Sequence, residues 1–153
     1  MHRRRSVLLA ALIMGLVLAV APAGRASAVA CTWANCTGKD PQAAGCSSTG
    51  RTVREFTSVG VRVELRYSST CHAAWTRATN PDACCNNHES QIRGYGTKAT
   101  LLKIYYKQFP WDGTNWTPMI GASSTMRGFR ACEAYIETHD GLDCTTLYSP
   151  FSE

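Results

Sequence analysis

Cysteine is absent from the first thirty residues of this chain, although eight follow. No run of lysine or arginine lies beyond residue 28, no two cysteines are separated by two residues, and there is no internal repeat or interdomain linker. Each absence excludes something. Without a basic stripe the electrostatic footprint of a nucleic-acid binder is missing, and without a basic amphipathic helix so is that of a membrane-surface protein. Without C-x2-C spacing, and in a chain bound for an oxidising compartment, the cysteines are read as disulfides rather than zinc ligands. No metal and no cofactor is therefore expected.

The cysteine-free leader has its own content. Arg3, Arg4 and Arg5 precede about fifteen apolar residues, then Pro22 and Gly24, then Ala26-Ser27-Ala28. This is the three-part pattern of an export signal, cleaved after residue 28. The apolar stretch falls short of the ~20 residues that span hydrocarbon, so no membrane span is expected after cleavage. Ala28-Val29-Ala30-Cys31 loosely imitates a lipoprotein processing site, which leaves lipid anchoring at Cys31 as a minor alternative to release outside the cell. The leader carries four of the sixteen basic residues and none of the eleven acids, so the remaining chain has twelve positives against eleven negatives, a formal charge of +1. The basicity of the whole chain belongs to its targeting segment.

Residues 29–153 suit one domain with a single core. Val61, Val63, Leu65 and Tyr67 alternate with Arg62, Glu64 and Arg66, which places the apolar set on one face of a strand and the charges on the other. Residues 52–56 read as the preceding strand. Residues 97–108 are rich in β-formers up to Pro110, Asp112-Gly113 supplies turn chemistry, and 116–120 read as the returning partner. Segments 131–137 and 142–148 flank Asp140-Gly141, a second hairpin dipeptide. Only 70–77 and 123–130 offer short helical candidates, and neither has a sustained 3.6-residue stripe. The expected fold is all-β, a small disulfide-stapled barrel or sandwich.

The most specific local pattern is Cys31-Thr-Trp-Ala-Asn-Cys36-Thr-Gly-Lys-Asp-Pro41 with Gly45-Cys46, followed by Val63-Glu-Leu-Arg-Tyr-Ser-Ser-Thr-Cys71-His-Ala-Ala-Trp75-Thr-Arg77. It resembles the secreted actinobacterial family catalogued as domain-of-unknown-function family 2690, and the likeness continues in Thr117-Pro118-Met119-Ile120, Ala131-Cys132 and Cys144-Thr145. The resemblance implies an exported small domain and supplies no active site to carry over. Cys31, Cys36, Cys46, Cys71, Cys132 and Cys144 are the family-like cysteines. Cys84-Cys85-Asn86-Asn87-His88 departs from the pattern as an insertion, so Cys84 and Cys85 either pair with each other, reach another chain or draw a family cysteine into a new bond. The sequence leaves the connectivity open.

Several residues carry chemistry, each with a structural alternative. Lys39 and Asp40 offer a cation and an acid to a ligand, or a turn in which Asp40 accepts backbone hydrogen bonds and Pro41 fixes the exit. Glu64, Arg66 and Arg77 form either a charged site or a solvated face of cross-strand ion pairs. Trp75, between Cys71 and Arg77, offers a stacking platform for sugar or peptide, or, as the favoured reading, packs on a disulfide in the core. Trp111 and Trp116, around the Asp112-Gly113 turn, form an aromatic grip for carbohydrate or protein, or else core. Cys71-His72 is a poor nucleophile and base, because neighbours on a strand point to opposite faces. His88 and His139 read as exposed loop histidines. The reading that results is a non-catalytic extracellular protein that binds a cell-envelope carbohydrate or a secreted protein. Two alternatives stand beside it: a small hydrolase using carboxylates such as Glu133, Glu137, Asp140 and Asp143, and an inhibitor or toxin presenting 83–95 as a rigid loop.

Overall fold

The computed structural model describes residues 28–81, 88–108, 113–135 and 141–151. Cys84, Cys85, Trp111, Asp112, Glu137, His139, Asp140 and the leader up to residue 27 lie outside the described residues. Nine strands are present among those described: β1 Gly50–Ser58, β2 Val61–Ser68, β3 Ala73–Asn80, β4 His88–Tyr95, β5 Leu101–Gln108, β6 Gly113–Trp116, β7 Ile120–Gly121, β8 Gly128–Tyr135 and β9 Leu142–Cys144. They form two antiparallel sheets. The first runs β1-β2-β3-β6 with β7 also on β3, and the second runs β5-β4-β8-β9. With β2 against β8 and β3 against β4, the expected all-β domain is a sandwich rather than a closed barrel.

The alternation in β2 decides which way the first sheet faces. Val61, Val63, Leu65 and Tyr67 point between the sheets and meet Ala74 and Ala78 of β3, Ile92 of β4 and Phe129 and Ala131 of β8. Each large side chain buried there contributes on the order of 1.5–3 kcal/mol. Hairpin β1–β2 turns at Val59 and Gly60, both at positive φ, as a two-residue turn requires. A second, smaller core forms on the other side of β3. There the segment 31–49, two short 3₁₀ turns and loops, folds over the outer face of the first sheet and buries Cys31, Cys36, Ala44, Cys46, Cys71, Ala73, Trp75 and Met119 together. Trp75 thus packs among disulfides, as expected.

Three disulfides join the six family-like cysteines: Cys31–Cys36, Cys46–Cys71 and Cys132–Cys144. The first two fasten the covering segment to itself and to the end of β2. The third crosses β8 and β9 between directly paired residues, which ties the predicted hairpin around Gly141.

Four expectations are corrected. Both helical candidates are occupied by strand or turn. In 70–77 the reason is that Ala73, Ala74, Trp75 and Thr76 are buried on both faces of a central strand, so no alternation remains to betray it. Residues 116–120 do not pair with β5: β6 and β7 both add to β3. Between them Met119 exchanges backbone hydrogen bonds with Gly38 and Lys39, while Pro118 has no N–H to give a ladder. Residues 88–95 are not a protruding loop but β4, an inner strand of the second sheet. Its inward positions are His88, Ser90, Ile92 and Gly94, too polar and small to announce a strand.

Candidate functional site

The outer face of the first sheet carries Glu64 and Arg66 of β2, Trp75 and Arg77 of β3 and Trp116 of β6. The register sets Glu64 opposite Arg77, Arg66 opposite Trp75 and Arg77 opposite Trp116. Segment 31–49 covers half of this face and stops at Pro41, Gln42 and Ser47. Where it stops, a cleft of about 120 Å³ remains, lined by those three residues with Arg66, Trp75, Arg77, Thr114 and Trp116.

Glu64 forms the floor of the charge network. Arg77 holds it in a two-pronged ion pair, Nε to Oε2 at 2.6 Å and Nη2 to Oε1 at 2.8 Å, and the Thr52 hydroxyl donates to Oε1 at 2.6 Å. Arg62 approaches the same oxygen at 3.6 Å. Period-two alternation puts Glu64 on the polar face, yet the side chain is only 2% exposed, because the arginines and Thr52 close over it. Burial alone would raise its pKa; the bonds from Arg77 and Thr52 and the charges of Arg77 and Arg62 outweigh this and hold it below the ordinary carboxylate range. The solvated face considered from sequence is therefore a covered one.

Arg66 is left differently. Its Nη1 donates to the Thr52 hydroxyl at 2.8 Å and its Nη2 to the Gly50 carbonyl, both neutral acceptors. Among the described residues no carboxylate lies within ion-pair distance of it. Burial above all, with the neighbouring charges of Arg77 and Arg62, pushes its pKa down, against the opposing pull of the Glu64 carboxylate.

Asp40 performs the turn chemistry expected of it and one thing more. Its Oδ1 accepts from the backbone N–H of Gln42 and Ala43 at 2.8 and 2.9 Å, while Oδ2 accepts the indole N–H of Trp116 at 2.8 Å. Partial burial opposes ionisation, but these three donors and the charge of Lys107 hold the carboxyl below its usual range. Asp40 thereby fixes the Trp116 ring at the cleft mouth. Lys39 does not join it; it lines a separate shallow depression with Val29, Ala30, Thr32 and Asn35. The structure brings Asp40, Glu64, Arg66, Trp75, Arg77 and Trp116 together and adds Gln42, Ser47 and Thr114, which no motif announced.

The remaining chemical candidates are taken up by structure. Cys71 is oxidised, so no thiol stands beside His72. The sulfurs of Cys31, Cys36 and Cys46 lie within 4.8 Å of one another, but all three belong to disulfides and have no thiolate to offer a metal. His88 is no loop histidine: it is buried in β4, its Nδ1 3.0 Å from Oε1 of Glu133, whose other oxygen accepts from Ser90 at 2.7 Å. Burial raises the Glu133 pKa to about 7 and lowers that of His88, so an uncharged pair is favoured between the sheets. Glu133 thus faces no cleft, and Asp143 is exposed and bonded to the Ser58 hydroxyl.

What these features define is a disulfide-stapled β-sandwich with a small cationic and aromatic cleft, and among the described residues no helix long and apolar enough to cross a membrane. The chain belongs to the family described as "Protein of unknown function (DUF2690)", whose model matches residues 34–132. That stretch contains every residue of the cleft and the whole Cys46–Cys71 bond, while Cys31 and Cys144, one half of each other disulfide, fall outside it. No curated protein and no solved structure matches the chain.

Proposed function

We propose that the protein is an exported, non-catalytic binding protein whose cleft takes an anionic group, a carboxylate, sulfate or phosphate, carried by a carbohydrate of the cell envelope. One observation carries the reading: Arg66 sits half-buried in a tryptophan-lined cleft with two neutral acceptors and, among the described residues, no carboxylate within ion-pair distance. An oxyanion entering there meets the guanidinium N–H groups of Arg66 and Arg77 that their bonds to Thr52, Gly50 and Glu64 leave over, and guanidinium N–H groups bind such ligands well. Trp116, pinned by Asp40, supplies a flat apolar wall for the ring that bears the anion. At about 120 Å³ the cleft is smaller than the ~300–1,000 Å³ of ordinary small-molecule sites, which suits recognition of one group on a long ligand. The leader pattern supports export, and the disulfides suit an oxidising compartment.

The test is calorimetric titration of the purified, oxidised protein with a uronate-bearing oligosaccharide and with the same oligosaccharide after carboxyl reduction. The acid form binds and the reduced form does not, and Arg66→Met abolishes the difference. Equal binding of both forms, or binding of neither, refutes the proposal; capture of a protein partner insensitive to Arg66→Met would assign the function to another surface.

A further inference from the structure

A second feature stands apart from the cleft. Among the described residues four that are not glycine have positive φ: Trp33, Val59, His72 and Ala99. Val59 sits in the β1–β2 hairpin turn, and Ala99 in the turn closing β4 onto β5, where Ala99 N–H bonds the Gly96 carbonyl; reversals of this kind use that conformation. His72, at φ 50°, closes the four-residue turn between β2 and β3, beside the paired Ser68 and Ala73, and histidine enters this region more readily than most side chains; Trp33, at φ 54°, lies in no hairpin turn. For a tryptophan the left-handed region is an outlier, kept only where the surrounding structure fixes it.

The fold over-determines both. Trp33 N–H donates to the Cys71 carbonyl at 2.7 Å and the His72 carbonyl accepts from Ala122 N–H at 2.7 Å. Gly121 faces the Trp33 carbonyl so closely that a Cβ there would lie 1.9 Å from its oxygen. The two chain segments are further held by Cys31–Cys36 and Cys46–Cys71. What this strained frame presents is a pair of parallel rings: Trp33 and His72 have centroids 3.7 Å apart and planes within 11°, with Phe151 nearly parallel to Trp33 at 6.1 Å. The tryptophan is not sunk into the core; it is 42% exposed. Thr32 and Asn35, exposed on the same turn, offer neutral hydroxyl and amide groups.

We infer that Trp33, backed by His72, is a second binding site, a stacking platform for the apolar face of a neutral pyranose ring. A flat ring locked at the surface with the Thr32 hydroxyl and the Asn35 amide beside it matches a ligand with C–H bonds on one face and hydroxyls around its rim, and Lys39, which lines the same depression as Thr32 and Asn35, adds a further donor to those hydroxyls. The site needs no anion, which distinguishes it from the arginine cleft.

The probes are two neutral soluble oligosaccharides, a β-1,4-linked N-acetylglucosamine tetramer and a β-glucan tetramer, added to the purified oxidised protein to about 10 mM, the weak end of single-ring recognition. Saturation-transfer NMR reads the bound sugar. At least one probe shows saturable transfer, weakened about tenfold by Trp33→Ala, as expected of a lost ring stack. His72→Gly is the second variant: glycine suits the left-handed backbone, so the protein folds at least as well while the ring behind Trp33 is gone, and binding falls. Arg66→Met leaves the transfer unchanged. Absence of transfer with both probes, transfer insensitive to Trp33→Ala and His72→Gly, or transfer lost on Arg66→Met each overturns the inference, and the last would return neutral-sugar binding to the cleft.

Discussion

Removing Arg77 and removing Glu64 break the same ion pair but leave different orphans, and stability measurements can tell them apart. In Arg77→Met the Glu64 carboxylate, 2% exposed, loses two charge-assisted hydrogen bonds and keeps only the Thr52 hydroxyl and the more distant Arg62. Stranding a buried charge in this way costs about 3–5 kcal/mol, and Arg62 moves the value toward the lower end. In Glu64→Gln the orphan is Arg77, 36% exposed, which turns to water. That variant loses about 1–2 kcal/mol. At pH 7 the expected difference is therefore about 2 kcal/mol, read from urea unfolding midpoints at unchanged slope with the disulfides intact. The sign of the pH dependence follows from the depressed pKa of Glu64. Burial opposes that depression and the Arg77 and Thr52 bonds overcome it, so the stabilisation is complete above the carboxyl's ordinary value and is lost as pH falls through the lower folded value. The gap between wild type and Arg77→Met closes in acid. Equal costs at pH 7, or a gap undiminished at the foot of the acid titration, would refute the network as described.

Three further outcomes are expected. Glu133→Gln keeps an acceptor for Ser90 and a donor toward His88 while removing the charge. Because the folded carboxyl titrates at about 7 and the unfolded one near its ordinary value, the folded state holds the extra proton between them. The Glu133 contribution thus falls as pH rises across that window, while that of His88, whose pKa burial lowers, rises in both proteins; the variant therefore gains on wild type from acid to pH 8 by on the order of 3 kcal/mol, and parallel pH profiles would contradict this. Replacing Cys46 and Cys71 by alanine opens the 25-residue separation and costs about 3.5 kcal/mol, against about 2 for the five-residue separation of Cys31 and Cys36, an order that thermal unfolding of the two double variants checks. Gly121→Ala drives a Cβ into the Trp33 carbonyl, so it destabilises by at least the ~1–3 kcal/mol of overpacking and perturbs the indole resonance of Trp33; an unperturbed resonance would count against the contact.

Legibility in the sequence depended on whether an element has two unlike faces. β2 has, and Val61 to Tyr67 announced both the strand and its buried side. β3 is buried on both sides, with Trp75 toward the disulfides and Ala74 and Ala78 toward the main core, so its sequence lacks alternation and reads as a short helical candidate instead. β4 was hidden by inward His88, Ser90 and Gly94. At the site, Asp40, Glu64, Arg66, Arg77 and Trp116 were all named from local chemistry, but their meeting was not legible, because it depends on β6 adding to β3 and on segment 31–49 folding across the sheet. The burial of Glu64 was illegible for a related reason: alternation reports which face a residue is on, not what the long side chains on that face do to it. Trp33 and His72 both lie in the motifs read from the sequence, but nothing there foretells that their rings stack, because the stack depends on segment 31–49 folding across the sheet to the β2–β3 turn.

The cleft is tested most directly by NMR of the guanidinium Nε–H groups of Arg66 and Arg77 and the indole N–H groups during titration with a uronate-bearing oligosaccharide. Binding in the cleft shifts Arg66, Arg77 and Trp116 together along one saturable curve and leaves their positions unmoved when the carboxyl-reduced sugar is added. Shifts confined to other residues, or no shift in Arg66 at saturating acid sugar, would contradict the account.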